Sequence, residues 1–423
     1  MMKTRRYAGI LSLFYFSTGL LAAVLSLVLL DKGLSLGGIA LAMGIYSVTA
    51  AALEVPSGIA ADLLGRRMTF LISLALSAAA YALMIFLRGP WLMAAVAVNG
   101  AARAMASGTV EALFISRHNA AYGVDRLPKA MRLLTLSESA GLAVGALLGG
   151  FLPSISAALL PGWGAYDLNL LLRAAMCPLL AVLTVLWIPS DRGERPERVP
   201  LSVHLRESAR VVRHSHALKW VLLAAVGLGI ALCALEAYWQ PLFLGLLGGE
   251  NRIALLGVLS TLYFGAVMAG NLVSERLLSR HGMSEKTVYL AGRFGMLVCM
   301  VGAALIPHPA AFMVLYCLMY FFLGASNISE GALIHREVPD ASRASMLSVQ
   351  SFMMQAGVLA ASAGAGAAAD TVSLPVLWLA AAAAAALLLA PALRIAKRLK
   401  PEDAEYKNPP TDLPCGGEES TET

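Results

Sequence analysis

The side chains of this sequence that could do chemistry are charges embedded in long apolar runs: Arg103, Glu111, Glu138, Glu236 and Glu330. A charge in such surroundings is costly, so it is expected to face a water-filled cavity or a partner. Arg103 could handle a proton or a substrate, with a purely structural ion pair as the alternative. Glu138 and Glu236 stand closest to the middle of their runs, where a carboxyl can take up and release a proton. Glu111 and Glu330 lie nearer run ends and are expected in ion pairs of a gate; Glu54 is similar, and Asp31 marks the end of the first run. Tyr15, Tyr238, Trp239, Gln240, Asn271, Asn327 and Gln355 are candidate cavity-lining groups, with Trp239-Gln240-Pro241 placed where a helix break could shape a gate. Hydrolytic, nucleotide-driven and metal chemistry find no support. The sequence holds no Walker loop, dinucleotide fingerprint, zinc motif or nucleophile elbow in a workable place. Cys177, Cys233, Cys299 and Cys317 sit in apolar segments and Cys415 in the tail, which gives neither a disulfide framework nor a metal cluster. Neither enzyme activity nor a bound cofactor is expected.

The elements that must position these groups follow from composition. Of 423 residues, 58% are hydrophobic and 14% charged, where a soluble chain carries roughly a quarter charged. With a mean hydropathy of +0.72, lipid must be the main solvent. A bilayer core of ~30 Å takes about 20 apolar residues per helix. Twelve runs qualify: 7–30, 36–61, 68–87, 91–116, 128–152, 167–188, 217–246, 252–278, 286–306, 309–334, 343–370 and 372–394. The first is too long for a signal peptide and is kept as an uncleaved span.

Basic residues orient the spans. With the N-terminus inside, 25 of the 32 Lys and Arg fall in inner segments and three (Lys32, Arg88, Arg252) outside, while Arg103, Arg132, Arg173 and Arg293 lie within spans. By the positive-inside rule both termini are expected in the cytoplasm. The net charge of +6 therefore faces a leaflet and points to no nucleic acid. The expected division is a six-helix half over 1–188, a linker over 189–216, a second half over 217–394 and a disordered polar tail over 395–423. In the linker, Leu201, Leu205, Ala209 and Val212 share one helical face among basic residues, as in an amphipathic helix at an anionic leaflet; a solvated linker is the alternative. The halves repeat weakly. SGTVEALFISR (Ser107–Arg117) over SNISEGALIHR (Ser326–Arg336) aligns Ser107 with Ser326, Glu111 with Glu330 and Arg117 with Arg336.

The loop after the second span reads Gly58-Ile-Ala-Ala-Asp62-Leu-Leu-Gly65-Arg66-Arg67. Its glycines permit a tight turn, its aspartate can accept bonds from a facing helix N-terminus, and its arginines anchor at the leaflet. This GxxxDxxGRR spacing, after span two of twelve, resembles the signature loop of the major facilitator superfamily. The resemblance implies the fold: an all-α membrane protein with two pseudo-symmetric six-helix bundles. It implies a cytoplasmic gate in which Asp62 meets the start of the eleventh helix and a basic residue ending the fourth, for which Arg117 is the candidate. The second-half counterpart, Gly270 to Arg280, is a degraded copy, and Glu54-Val-Pro56-Ser57-Gly58 looks like the run-in of bacterial exporters. The fifth span carries Gly141, Gly145, Ala146, Gly149 and Gly150, similar to the antiporter motif GxxxGPxxGG of the superfamily but with alanine for its proline. Plain close packing of small residues explains the same spacing. The superfamily also has an arginine in helix four followed by glycine four residues on; here Gly108 follows Arg103 by five.

The expected protein is a monomeric proton-coupled antiporter of a bacterial inner membrane that exports a small organic molecule, a drug or metabolite, with the proton gradient as its energy source. Proton-symport uptake of a nutrient is the first alternative. A membrane scaffold that transports nothing is the second, and the retained charges Arg103 and Glu138 argue against it.

Overall fold

The computed structural model describes residues 2–123, 126–191, 215–249, 252–338 and 343–396. The linker's amphipathic segment, the tail and Cys415 lie outside the described residues. The elements are α1 (Met2–Ala22), α2 (Leu25–Asp31), α3 (Leu36–Leu64), α4 (Arg66–Phe86), α5 (Leu92–Ala106), α6 (Thr109–Tyr122), α7 (Leu127–Leu159), α8 (Asp167–Trp187), α9 (His216–Leu247), α10 (Ala254–His281), α11 (Glu285–Leu305), α12 (Pro309–Glu337), α13 (Arg343–Ala368) and α14 (Leu374–Ala396). Ten of these helices are long and apolar enough to cross a membrane singly. The two remaining predicted spans are broken. The first is the pair α1 and α2, bent by 49°. The fourth is divided into α5 and α6, of 15 and 14 residues.

Each break has a local cause. Between α5 and α6, Gly108 adopts φ 67°, a left-handed conformation open to glycine and costly for other residues. Between α1 and α2 the freed backbone groups are satisfied from the other half of the chain: the Ser26 N–H donates to Gln240 Oε1 at 2.6 Å, and Gln240 Nε2 donates to the Ala22 carbonyl at 2.8 Å. Irregular backbone at membrane depth needs such internal partners.

The halves are built alike. In the first, α7 lies against α1 with Gly141, Gly145 and Gly149 facing the backbone carbonyls of Ser12, Phe16 and Leu20, where a Cβ would overlap them. In the second, α13 and α9 repeat that seam, with Gly357 against the Val226 carbonyl and Gly229 against that of Met354. Spans one and five thus correspond to spans seven and eleven. Small residues let these helices approach at backbone distance.

The linker face is the one where α8 ends and α9 begins; the opposite one is the far face. Every hydrogen bond between halves among the described residues sits at mid-span or toward the far face. The closest backbone approaches agree, pairing Gly37 with Gly366 and Gly150 with Gly257. The bundle is closed on the far face and open toward the linker face.

Candidate functional site

Glu236 lies midway along α9, at the seam between halves. Its backbone carbonyl accepts from Ser26 Oγ at 3.2 Å, yet its residue surface is exposed while Leu235 and Ala237 on either side are buried. The carboxylate accepts a 2.5 Å hydrogen bond from Tyr320 and has no ion-pair partner among the described residues. Behind it stands a packed aromatic wall: Tyr263 and Tyr320 have centroids 4.4 Å apart, Trp239 and Tyr316 5.3 Å apart. All four are buried, so the wall fixes Tyr320 and thereby the carboxylate. Trp239 and Tyr238 were expected to line a cavity and instead fill the core, and α9 runs unbroken through Pro241. Gln240 is likewise buried, spent on the α1–α2 bend.

Arg103 ends α5 beside the Gly108 break, and the break opens a cavity of about 170 Å³ lined by Tyr15, Arg103, Ser107 and Glu111 among others. Arg103 is exposed and Glu111 half-buried. The Arg103 guanidinium acts electrostatically on Glu111, and Glu111 on Glu138, which is half-buried on α7. The structure therefore gathers Arg103, Glu111, Glu138 and Tyr15 in the first half and holds Glu236 in the second.

Two sequence expectations need correction. Glu330 and Glu111 were expected in gate ion pairs. Glu330 is buried and paired with Arg293 at 2.6 Å between α11 and α12, inside the second half, and Glu111 makes no ion pair among those found. Lys32, counted as a loop charge in water, is fully buried and paired with Asp167, with its Nζ also donating to the Ile85 carbonyl at 3.0 Å. Arg173 takes a third solution: buried with no acid partner among the described residues, it donates to Ser17 and lies over the Tyr81 ring, 5.0 Å from its centroid.

At the linker face, no hydrogen bond or ion pair among the described residues joins the side chains expected to form one gate. Asp62 is exposed and has neither hydrogen bond nor ion pair among the described residues. Arg117 donates instead to the carbonyls of Pro189 and Ser190, at 3.2 and 3.1 Å, and Arg67 to that of Val185 at 3.3 Å. The open linker face accounts for the missing contact between Asp62 and the start of α13, which belong to different halves: among the described residues the halves bond at mid-span or toward the far face. Gly58 has open space around it, whereas Gly65, at φ 89°, carries the turn. Sequence reasoning missed Asp191. Its carboxylate accepts from the backbone N–H groups of Arg66 (2.6 Å) and Arg67 (3.3 Å), capping the N-terminus of α4. An acid directly after the sixth span was its only visible signal.

At the far face, Asp370 follows α13 and accepts from the Ser35 hydroxyl at 2.7 Å and the Gly37 N–H at 3.1 Å, across the two halves. These bonds, the hydroxyl first, hold its carboxyl below the ordinary carboxylate range. The bonds exist only while the far face is closed, so they favour closure fully above the ordinary aspartate value of about 4. Their contribution fades as pH falls through the depressed value. Asp370→Asn is expected to reproduce the acid effect at neutral pH. Distances between spin labels at the exposed far-face positions Trp163 and Ile306 should lengthen in part of the population. An unchanged distance distribution would show that Asp370 does not latch this face.

Comparisons with known proteins bear on this arrangement. The model of the Major Facilitator Superfamily matches residues 8–251 and again 250–415. Among curated proteins no sequence match is found. Similar solved structures include the nucleoside transporter NupG, at 15% identity and a TM-score of 0.76, covering 94% of this chain and 100% of that one. A POT family peptide transporter in an autoinhibited form superposes at 12% identity and a TM-score of 0.72, with coverages of 96% and 99%. A bacterial homolog of the human lysosomal transporter Spinster, inward-facing and unoccupied, gives 15% identity, a TM-score of 0.69 and coverages of 94% and 96%. With a family match over both halves, the twelve-span plan and the signature loop, this multi-pass membrane chain belongs to the major facilitator superfamily of transporters.

Proposed function

We propose that the protein is a proton-coupled secondary transporter of a bacterial inner membrane, with the linker face cytoplasmic, that exports a small organic molecule by alternating access. The observation that carries the proposal is Glu236: an exposed mid-span glutamate at the seam, held by a tyrosine and without an ion-pair partner among the described residues. An acid so placed can exchange a proton for cargo as the seam opens to one side and then the other. Arg103 and Glu138 face it functionally from the first half, as the groups that handle cargo or share the proton. Asp62, Arg66, Arg67 and Arg117 stand on the first half's side of the open linker face; closing that face brings Asp62 to the start of α13. Gly150 against Gly257 lets the α7 motif seal the far face at backbone distance, which supports the antiporter reading.

Uptake by proton symport is the second reading. It is favoured by the finding that Gly141, Gly145 and Gly149 are fully accounted for by packing on α1, which leaves only Gly150 at the seam. Everted and right-side-out vesicles with an imposed proton gradient decide the matter, using labelled nucleosides, dipeptides and a lipophilic cationic dye as probes. Accumulation in everted vesicles is expected. Accumulation only in right-side-out vesicles would establish uptake, and none in either would overturn transport of these classes.

A further inference from the structure

The first span bends by 49° between α1 and α2 without a residue of its own that would bend it. Sharp kinks trace to proline, to glycine or serine, to a π-bulge, or to a group inserted into the i→i−4 ladder. From Leu20 to Asp31 the span has neither glycine nor proline. The break falls in Ala22-Ala23-Val24-Leu25, where alanine and leucine favour helix. Ser26 does not bend its own span, because its hydroxyl donates to the Glu236 carbonyl of α9 at 3.2 Å. Val24 nonetheless sits at φ −133° and ψ 6°, away from helical values. The corresponding seventh span shows the reverse: α9 contains Pro241 and runs on unbroken. What interrupts the ladder is a side chain from the other half. In an unbroken helix the Ser26 N–H would donate to the Ala22 carbonyl. Here the Gln240 amide takes both groups, accepting from that N–H through Oε1 at 2.6 Å and donating to that carbonyl through Nε2 at 2.8 Å. Ala23, Val24, Ser26 and Gln240 are all buried, so the clasp is shielded from water.

We infer that Gln240 is a positioning residue that imposes the bend in the first span while the far face is closed and releases it when that face opens. Parting the halves withdraws the amide and strips two backbone groups of their partners at membrane depth, where an unpaired group is costly. The Ala22 carbonyl and the Ser26 N–H then rejoin each other, so two bonds between halves are exchanged for one within the span. The far end of α2 stays with the first half through Lys32, bonded to Asp167 and the Ile85 carbonyl, and the change is centred on the backbone at Val24. The span thus has two arrangements, clasped and continuous. Gln240 stands one turn beyond Glu236 on α9, and Ser26 bonds the Glu236 carbonyl, so the clasp joins the carboxylate's own turn to the bend. The release step rests on the alternating-access reading; the imposed bend does not.

The test uses the full chain in lipid nanodiscs, with a bound antibody fragment for electron cryomicroscopy. Gln240→Leu keeps much of the side chain's bulk and offers neither bond. Its α1–α2 bend is expected to shrink to about half or less, with the Ser26 N–H returned to the Ala22 carbonyl. Ser26→Ala loses only the hydroxyl bond and should keep the bend of 49°. Far-face-open particles of Asp370→Asn, in which Gln240 is intact, should show the same continuous span, and they test the release step without altering the clasp. Spin labels at Trp163 and Ile306 add a population readout. Gln240→Leu should raise the ratio of long to short distances by about fivefold, the equivalent of the one bond lost on balance. An undiminished bend in Gln240→Leu, or in the open particles of Asp370→Asn, would overturn the inference, as would unmoved distances in Gln240→Leu. No cargo or gradient enters these measurements, so the clasp and the transport reading fail separately.

Discussion

Replacing Lys32 with methionine is expected to destabilise the protein by about 3–5 kcal/mol, the cost of removing one partner from a buried ion pair. Lys32 is 0% exposed and Asp167 4%. The substitution leaves the Asp167 carboxylate buried with the Gly164 N–H as its remaining bond, and strips the Ile85 carbonyl of its donor. Three segments meet there, the end of α2, the end of α4 and the start of α8, so the loss unfastens the far-face end of the first half. Removing both charges separates two explanations. In Lys32→Met with Asp167→Leu no orphaned charge remains, and most of the loss should be recovered. Thermal unfolding in detergent reads both variants. A single variant that melts with wild type would mean that the carboxylate finds water, and that the pair contributes nothing to stability.

That pair marks where the sequence stops being readable. The spans, the halves and the signature loop follow from local composition and spacing, because apolar length and the position of Gly58, Asp62 and Gly65 are properties of contiguous residues. Burial of Lys32 depends on Asp167, 135 residues away. A lysine beside an acid at a span end looks like any solvated loop. Gln240 bonds the α1–α2 bend across 214 positions, and neither its type nor its neighbours mark the bend it serves. Glu330 and Arg293 were both visible as intramembrane charges. Their pairing turned on helix rotation, which a periodicity read from a nearly all-apolar helix does not fix. The break at Gly108 was visible as a glycine but was read against a motif spacing, and only its φ of 67° reveals a helix end. By resemblance Asp62 meets the start of α13 in a gate, and the absence of that contact here goes with the open linker face, a property of conformation that no spacing encodes.

The group with the largest functional effect is expected to be Glu236, and Glu236→Gln should abolish gradient-driven accumulation. With one proton exchanged per cargo molecule, a gradient of one pH unit, about 1.4 kcal/mol, sustains about tenfold accumulation. The glutamine variant should equilibrate cargo to no more than about the outside level at any imposed gradient. Glutamine keeps the size of the side chain and an oxygen for Tyr320, so the fold should survive. The choice of Glu236 over Glu138 rests on neighbours. In the first half, Arg103 stands within electrostatic reach of Glu111, and Glu111 of Glu138, so a charge change there is felt by charged neighbours. Around Glu236 the described residues of the second half supply hydroxyls and rings but no ion-pair partner, and losing its proton changes the charge of the seam by a full unit. Tyr320→Phe adds a second readout: it leaves the carboxyl but frees it to move, so accumulation should persist while its pH profile shifts. Retention of wild-type, pH-dependent accumulation by Glu236→Gln would remove Glu236 as the carrier, and the same measurement on Glu138→Gln would then decide whether the first half holds the proton instead.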